Sequence, residues 1–414
     1  MNERKTKGEQ IARTCQIQCK GFEKWLVPSQ SGKGLYVVSR YGDGFKCNCP
    51  DYELRQEPCK HIYAVEIKVL HWYDGFDNQT TITIKKTYKQ DWKAYNLSQT
   101  QEQDMFMKLL AELCEDIEEN EYVFGRPKLS LKDMVFSSAI KVYSTFSLRR
   151  FICDMKTAQE KGYVQSVCSY SSVSNYMRDP KMTAILNRLI TLSALPLKSV
   201  ETQFAIDSSG FRTTKFNDYC REKHKTDQQH DWIKLHICVG TKTNIVTAVE
   251  TGLGNHSADT LQFIPLSQRT HDSGFNIQEM SGDKAYSSKD NYNAINELGG
   301  TAYIPFKSNT KVWGNSHSRA NNWSNTNSKG SKAKIWRKMY RYFVYNQEEF
   351  LEHYHRRSNV ETAFFMIKSK FTDLVRSKDE IAQKNEVMLK VLCHNIVVLI
   401  QEMNELGIEP NFLQ

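Results

Sequence analysis

Two sets of residues have types and spacings that can do chemistry. Cys47-x-Cys49 and Cys59-x-His61 place four soft or borderline donors within fifteen residues. Two close pairs joined by a loop can wrap one tetrahedral Zn²⁺ ion. Chance clustering in a chain with 11 cysteines is the alternative, and the paired spacing favours zinc. The second set is Tyr354, Arg357, Glu361 and Lys368, spaced Y-x2-R-x3-E-x6-K. On one continuous helix, at about 100° per residue, they fall within an arc of about 60°. Val360, Ala363, Phe364 and Ile367 form an apolar stripe beside them, able to seat the helix on a sheet. Alone, such a strip is usually a solvated face with ion pairs. Upstream, however, Asp207 ends the strand-like run QFAID and Asp283 ends IQEMSGD. A strand-end carboxylate is open to a ligand, although each aspartate singly reads as a turn or helix-cap residue. Three converging carboxylates suit two Mg²⁺ ions, since hard cations prefer oxygen donors. Two metals can clamp the attacking and leaving oxygens of an in-line phosphoryl transfer. Arg357 and Lys368 would then hold flanking phosphates, and Tyr354 would donate to one.

The elements that must position these groups follow from texture. Residues 1–75 are rich in Cys, Gly and aromatics, with a β-prone Leu35–Val38 and a helical pattern from His61 to Leu70; they read as a small zinc-binding module. Residues 76–97 read as a polar linker. Residues 98–200 are helical in pattern, with Met105, Leu109, Leu110, Leu113 and Ile117 at helical spacing. From Glu201 the runs QFAID, WIKLHICVG, IVTAVE, IQEMSGD and TAYIPF predict strands. One crossover helix is predicted over Lys289–Leu298, and long helices follow Gln347. That order predicts an α/β core on a mixed sheet over 201–370, with a helical C-terminal segment over 371–414.

Charge singles out one further stretch. Residues 307–341 contain nine Lys and Arg and no acid, equal to the whole chain's net charge of +9. Trp313, Trp323 and Trp336 are interleaved with them. A solvated loop and a phosphate-tracking arm explain this composition about equally, the latter including Arg337 and Lys338. The basic balance as a whole suits a polyanionic partner.

With these residues in view, the C-x-C…C-x-H order followed by Ile62-Tyr63-Ala64-Val65 resembles the SWIM zinc finger. Asp207, Asp283, Glu361 and the Tyr-Arg-Glu-Lys signature resemble the DDE transposases of the insertion sequence 4 (YREK) family. The phrases AIDSSGF, DWIKLHICVG, DKAYSS and NVETAFFMIKSKF carry that resemblance over about 201–370. It implies a ribonuclease H-like fold and DNA cleavage with strand transfer, dependent on Mg²⁺ or Mn²⁺. By that match Asp207, Asp283 and Glu361 are the metal ligands, while Tyr354, Arg357 and Lys368 contact DNA. The implied partners are double-stranded DNA, at element ends and target, and a second copy of the chain in a homodimer. The helical 98–200 region would bind the element ends. Only 78 positions separate Asp283 from Glu361, fewer than in relatives with a β-rich insertion there, where a tryptophan supports a DNA hairpin. Trp313, Trp323 and Trp336 are the candidates for that part here.

Several smaller features are weaker. Gly125-Arg126-Pro127 matches the core of AT-hook peptides, but a simple turn explains it better. Tyr163–Leu195 fits a helix-turn-helix or ordinary packing equally. Ser31-Gly32-Lys33-Gly34 lacks the first Gly and the Ser/Thr of a phosphate loop. His224, His230 and His236 read as satisfied histidines, and the acidic run Glu115–Glu121 as a solvated helix face. No apolar run approaches the ~20 residues of a membrane span, and the N-terminus lacks an apolar signal core. The expectation is a cytoplasmic protein, nucleoid-associated if prokaryotic. Two rivals remain: a DNA-binding regulator repurposed from a transposase, without cleavage, and a zinc-dependent interaction module like those of ubiquitin-ligase components.

Overall fold

The computed structural model describes residues 3–15, 17–19, 24–29, 34–41, 44–73, 91–119, 124, 128–213, 232–253, 259–307, 310 and 326–412. The chain divides into two compact units, 1–90 and 91–414.

The first unit opens with α1 (Glu3–Thr14), followed by β1 (Gln18–Cys19), β2 (Lys24–Pro28), β3 (Leu35–Tyr41) and β4 (Gly44–Cys47). These strands form one antiparallel sheet in sequence order. Short α2 (Pro50–Arg55) and longer α3 (Lys60–Tyr73) complete it. The core is small: Ile11, Trp25, Val27, Val38, Ile62, Ala64 and Val65 close over Cys47, Cys49 and Cys59. Helix α1 is absent from the sequence reading because Ile11 is nearly its only large apolar residue. It packs on α3 through Gly8, where a Cβ would meet Tyr63 Cβ at 2.6 Å and Lys60 O at 2.9 Å.

The second unit begins with α4 (Trp92–Thr100), capped by Asp91. Residues 92–97, expected as linker, are therefore helix. Helices α5 (Glu102–Cys114), α6 (Leu131–Tyr143), α7 (Ile152–Glu160), α8 (Tyr170–Tyr176) and α9 (Pro180–Ala194) follow. Their apolar faces join one hydrophobic cluster with the sheet. Helix α9 packs on the sheet and on the C-terminal helix, so ordinary packing accounts for the helix-turn-helix pattern. The acidic run is not a helix face: α5 stops at Cys114, Ile117 is buried, and Glu119 accepts Ser130 Oγ and the Leu131 and Lys132 amides at the start of α6.

The mixed sheet contains β5 (Gln203–Arg212), β6 (Trp232–Gly240), β7 (Val246–Leu253), β8 (Glu279–Gly282) and β9 (Thr301–Tyr303), ordered β7-β6-β5-β8-β9. The β5–β6 and β6–β7 pairs are antiparallel, while β5–β8 and β8–β9 are parallel. Parallel pairs need crossovers. There are two, α10 (Asp259–Asp272) and α11 (Lys289–Glu297), where the sequence predicted one. Pro265 and a polar composition, with Phe263 and Leu266 its only buried large side chains, hide α10 from periodicity. The chain then forms α12 (Thr326–Tyr345), α13 (Gln347–Tyr354), α14 (Ser358–Phe371) and the 27-residue α15 (Glu380–Leu406). Much of the basic stretch is therefore helix rather than loop. Trp313, Trp323, His224, His230, the AT-hook-like core and Ser31–Lys33 lie outside the described residues. In no helix of the described residues is there an apolar length sufficient to cross a membrane.

Candidate active site and metal centre

Asp207 and Asp283 are brought together by strand register. Ile206 pairs with Gly282 in the parallel β5–β8 ladder; Asp207 follows Ile206 in the middle of β5 rather than at a strand end, and Asp283 follows Gly282 just past the end of β8. Beyond that point Asp283 turns out of the sheet and its side chain accepts the Ala285 amide at 2.7 Å. Asp207 and Ser208 face opposite sides of the sheet, as alternation requires. Asp207 faces the side covered by α14, and Ser208 donates to Asp259 at the start of α10, 2.8 Å away.

The signature residues do not lie on one helix, which corrects the single-arc expectation. Tyr354 ends α13, Arg357 sits in a 3-10 turn (His355–Arg357), and Glu361 and Lys368 lie on α14. The break lets neighbouring arginines reach neighbouring strands. Arg356 Nη1 donates to Glu279 of β8 at 2.9 Å, beside His353 Nδ1 at 3.0 Å from the same oxygen. Arg357 donates to Asp207 Oδ2 at 2.8 Å and to Glu361 Oε1 at 2.5 Å. Arg357 is only 9% exposed, and its guanidinium carbon lies 5.8 Å from the centre of the Tyr354 ring. Lys368 donates to Ser209 Oγ at 2.7 Å and Gly210 O at 2.9 Å, farther along β5. Thus one guanidinium links two of the three carboxylates, and the lysine fixes α14 to the strand that carries the first. Glu279, His353 and Arg356 went unnoticed in the sequence. Glu279 opens β8, four residues before Asp283 with no spacing signal, and its partners became apparent only through the helix break.

Electrostatics agree with crowding. Burial pushes the Asp207 carboxyl up to about 6; the Ser208 amide and Arg357 oppose this, and Asp283 and Glu361 add to it. Burial also raises the Tyr354 phenol, against the pull of Arg357. Burial lowers Lys368. A buried Asp207 carboxyl with two further carboxylates beside it is a donor set that a hard divalent cation would relieve, so the oxygen ligands fit such an ion. The Tyr286 hydroxyl is buried beside the same carboxylates, and burial together with Asp207, Asp259 and Asp283 raises it.

Tryptophan and the basic residues fall differently. Trp336 is 8% exposed and packed edge-on to Tyr292 and Phe306, so it is a core residue and no candidate for supporting a hairpin. Arg337 and Lys338, its neighbours on α12, are exposed.

In the N-terminal unit the four expected ligands meet. Cys47, Cys49, Cys59 and His61 are buried, with ligand atoms all within 4.8 Å of one another. Donors around a tetrahedral Zn²⁺ lie about 3.5–3.8 Å apart, so a small closure would complete the site. His61 Nε2 is buried with no partner, and Nδ1 is 3.9 Å from both Cys47 and Cys59 Sγ. Interaction with Cys47, foremost, pulls the Cys59 thiol down to about 4, while the same hydrogen bond and burial push Cys47 up. Burial also raises Cys49. A cluster of three thiols, one of them ready as a thiolate, with an imidazole whose Nδ1 faces two of them, fits zinc.

Residues 198–396 match the family of the transposase DDE domain, and residues 36–70 match the SWIM zinc finger. A cryo-EM structure of a piggyBac transposase synaptic complex with hairpin DNA aligns at 13% identity over 77% of this chain and 76% of that one. Its TM-score is 0.35, too low for one superposable fold along that length. The chain carries a DDE transposase domain and, N-terminal to it, a SWIM zinc finger. The first implies an enzyme of the polynucleotidyl-transferase type that uses divalent metal, and the second implies zinc.

Proposed function

We propose that this chain, with its DDE transposase domain and SWIM finger, binds the terminal inverted repeats of its own mobile element and catalyses cut-and-paste transposition. One observation carries the reading. The β5–β8 register puts Asp207, midway along β5, next to Asp283 at the end of β8, and Arg357 ties Glu361 to Asp207. Asp207, Asp283 and Glu361 would hold Mg²⁺ or Mn²⁺. Bound there, the metal supplies charge stabilisation at the attacking and leaving oxygens of phosphoryl transfer. Water is the first nucleophile and the freed DNA 3′-hydroxyl the second, and no covalent protein–DNA bond forms.

The chain's own residues have separable parts in this. Arg357, buried between two carboxylates, orients them; a planar fork suits that bidentate task. Tyr354 and Lys368 line the same end of the sheet and contact the DNA backbone, and Arg337 and Lys338 contact DNA away from the scissile bond. In this reading the fold class is ribonuclease H-like and the chain is of the insertion sequence 4 (YREK) family, which the types and spacing of Tyr354, Arg357, Glu361 and Lys368 support. Residues 98–200 bind element ends, and two copies of the chain bring two ends together.

Strand cleavage of a duplex carrying the gene's own flanking ends tests the reading, with Mg²⁺ or Mn²⁺ and with Asp283→Asn as control. Expected is metal-dependent nicking at the element boundary by wild type. The variant should lose at least 100-fold in rate, as losses of one transition-state charge stabiliser do, yet bind ends normally. Nicking by Asp283→Asn at the wild-type rate would remove Asp283 from the site. End binding without cleavage under any metal would favour a repurposed regulator.

A further inference from the structure

Helix α12 carries Lys334, Arg337, Lys338 and Arg341 at i, i+3, i+4 and i+7, a single stripe along one face. All four are exposed, and no described residue forms an ion pair with any of them. No Asp or Glu occurs from Lys307 through Gln347. The other face is anchored: Trp336 and Met339 are buried, and Tyr340 and Phe343 pack on the same cluster, with Phe306 touching three of these rings. The helix lies against α11, toward the β9 edge of the sheet, whereas the carboxylates stand at β5 and β8.

Like charges three and four apart destabilise a helix, so folding does not account for this stripe. A polyanion would. From Lys334 to Arg341 the helix rises about 10 Å, comparable to three phosphate steps of one DNA strand at about 3.4 Å each. The anchored apolar face holds the helix in place before any DNA arrives, which lowers the ordering cost of binding. The stripe consists of charge alone, spaced along one face to meet successive phosphates, the part of a duplex that carries no sequence information directly.

We propose that this stripe is a sequence-independent rail for duplex DNA, engaging the phosphate backbone of target DNA rather than recognising the element's ends. The inference rests on DNA being the partner, as proposed above, but does not need the chain to cleave it. The test therefore uses the full chain carrying Asp283→Asn throughout, binding a random-sequence duplex between 50 and 200 mM KCl. Each phosphate contact contributes about 0.9 to the slope of log affinity against log salt. Replacing all four, as K334Q/R337Q/K338Q/R341Q, should make the slope shallower by about 3 to 4. R337Q/R341Q should change it by about 2, which keeps the test usable if the fourfold variant loses its fold. R337K/R341K, preserving charge, should leave it unchanged. The same loss is expected on an element-end duplex. An unchanged slope, or a loss confined to the element-end duplex, would overturn the proposal. So would a protein with no affinity for random duplex. Cleavage of element ends by the unmutated protein would in that last case leave the transposase reading standing.

Discussion

Cys47 and His61 are 14 residues apart, whereas Asp207 and Arg357, which meet at the carboxylate site, are 150 apart. The zinc ligands come from one strand end, one turn and the first turn of α3 (Lys60–Tyr73). The carboxylates come from two strands and α14 (Ser358–Phe371), and their proximity depends on sheet register, two crossovers and the packing of the C-terminal helices. A local site can be built by its ion; a distributed one must be built by its fold. The two units of this chain should therefore respond differently to loss of metal and to loss of distant packing.

The largest difference is expected on zinc removal. The N-terminal core has few large apolar side chains, and structural zinc typically contributes ~10–16 kcal/mol coupled to folding. Chelation, or Cys59→Ser, should unfold residues 3–73 and expose them to protease while the unit from Asp91 onward stays protected. Circular dichroism with limited proteolysis would show it. A zinc-free module that still resists protease would break the comparison, because its core would then suffice alone.

The converse experiment removes packing far from the carboxylates. Glu386 on α15 (Glu380–Leu406) is 2% exposed and accepts the Arg376 and Ser377 amides and Ser377 Oγ, with Lys141 Nζ at 3.6 Å. Burial alone would raise its carboxyl, but Lys141 and these hydrogen bonds hold it low. One turn on, Lys390 donates to Thr372 O and Leu374 O, and Arg212 at the end of β5 (Gln203–Arg212) bonds Asp373 and Val375. This strap follows α14 directly and fixes it to the strand of Asp207. Glu386→Ala leaves Lys141 buried without its partner, so denaturant unfolding of the second unit should lose about 3–5 kcal/mol. Cleavage should fall with it while zinc content stays at one per chain. A loss below 1 kcal/mol would mean that the strap is dispensable.

The same contrast explains what was legible in the sequence. Cys47, Cys49, Cys59 and His61 were readable because short spacing and donor chemistry nearly determine the site. Asp207, Asp283 and Glu361 were readable only as a pattern, since spacing on one ideal helix does not describe Tyr354 to Lys368. The 3-10 break at His355–Arg357 turns Arg357 inward and Arg356 toward Glu279, and no local propensity announces it. Strands β5 to β9 were evident from β-branched runs, whereas α10 (Asp259–Asp272) was hidden by Pro265 and α1 (Glu3–Thr14) by its polarity. Tertiary contacts, not periodicity, hold both. Likewise Trp336 read as a candidate for DNA because composition cannot tell a buried aromatic from an exposed one.

A smaller effect should locate the edge of the zinc unit. The SWIM match starts at residue 36, yet α1 packs on the ligand helix through Gly8. Gly8→Ala would put a methyl 2.6 Å from Tyr63 Cβ and 2.9 Å from the carbonyl of Lys60, which sits between Cys59 and His61. Overpacking of this kind costs about 1–3 kcal/mol, read as roughly a ten- to hundredfold loss of zinc affinity in a competition titration. Gly34→Ala, where nothing lies within 4 Å, should change nothing. Equal affinity for both variants would make α1 an appendage rather than part of the module.

The smallest expected effect separates the two sites by pH. Burial raises the Asp207 carboxyl from 3.8 to about 6. Between roughly pH 4 and 6 the folded chain holds a proton the unfolded chain has released, so this group's contribution to stability falls as pH rises through that window. A divalent cation competes with that proton. Apparent Mn²⁺ affinity should be level above pH 6.5 and fall by about tenfold per unit below 6, reaching about a tenfold loss at pH 5. The zinc site answers to different groups: Cys47 foremost pulls the Cys59 thiol down to about 4, but the same hydrogen bond and burial raise Cys47, and burial raises Cys49, so acid competes with zinc there through thiols rather than through a carboxylate. Calorimetric Mn²⁺ titrations at pH 7, 6 and 5, with zinc content measured on the same samples, follow both sites at once. Loss of zinc and Mn²⁺ at one common pH would show that acid acts on the whole chain. Loss of Mn²⁺ affinity alone would mark Asp207 as the group that titrates, and Asp207→Asn should then bind Mn²⁺ weakly at every pH.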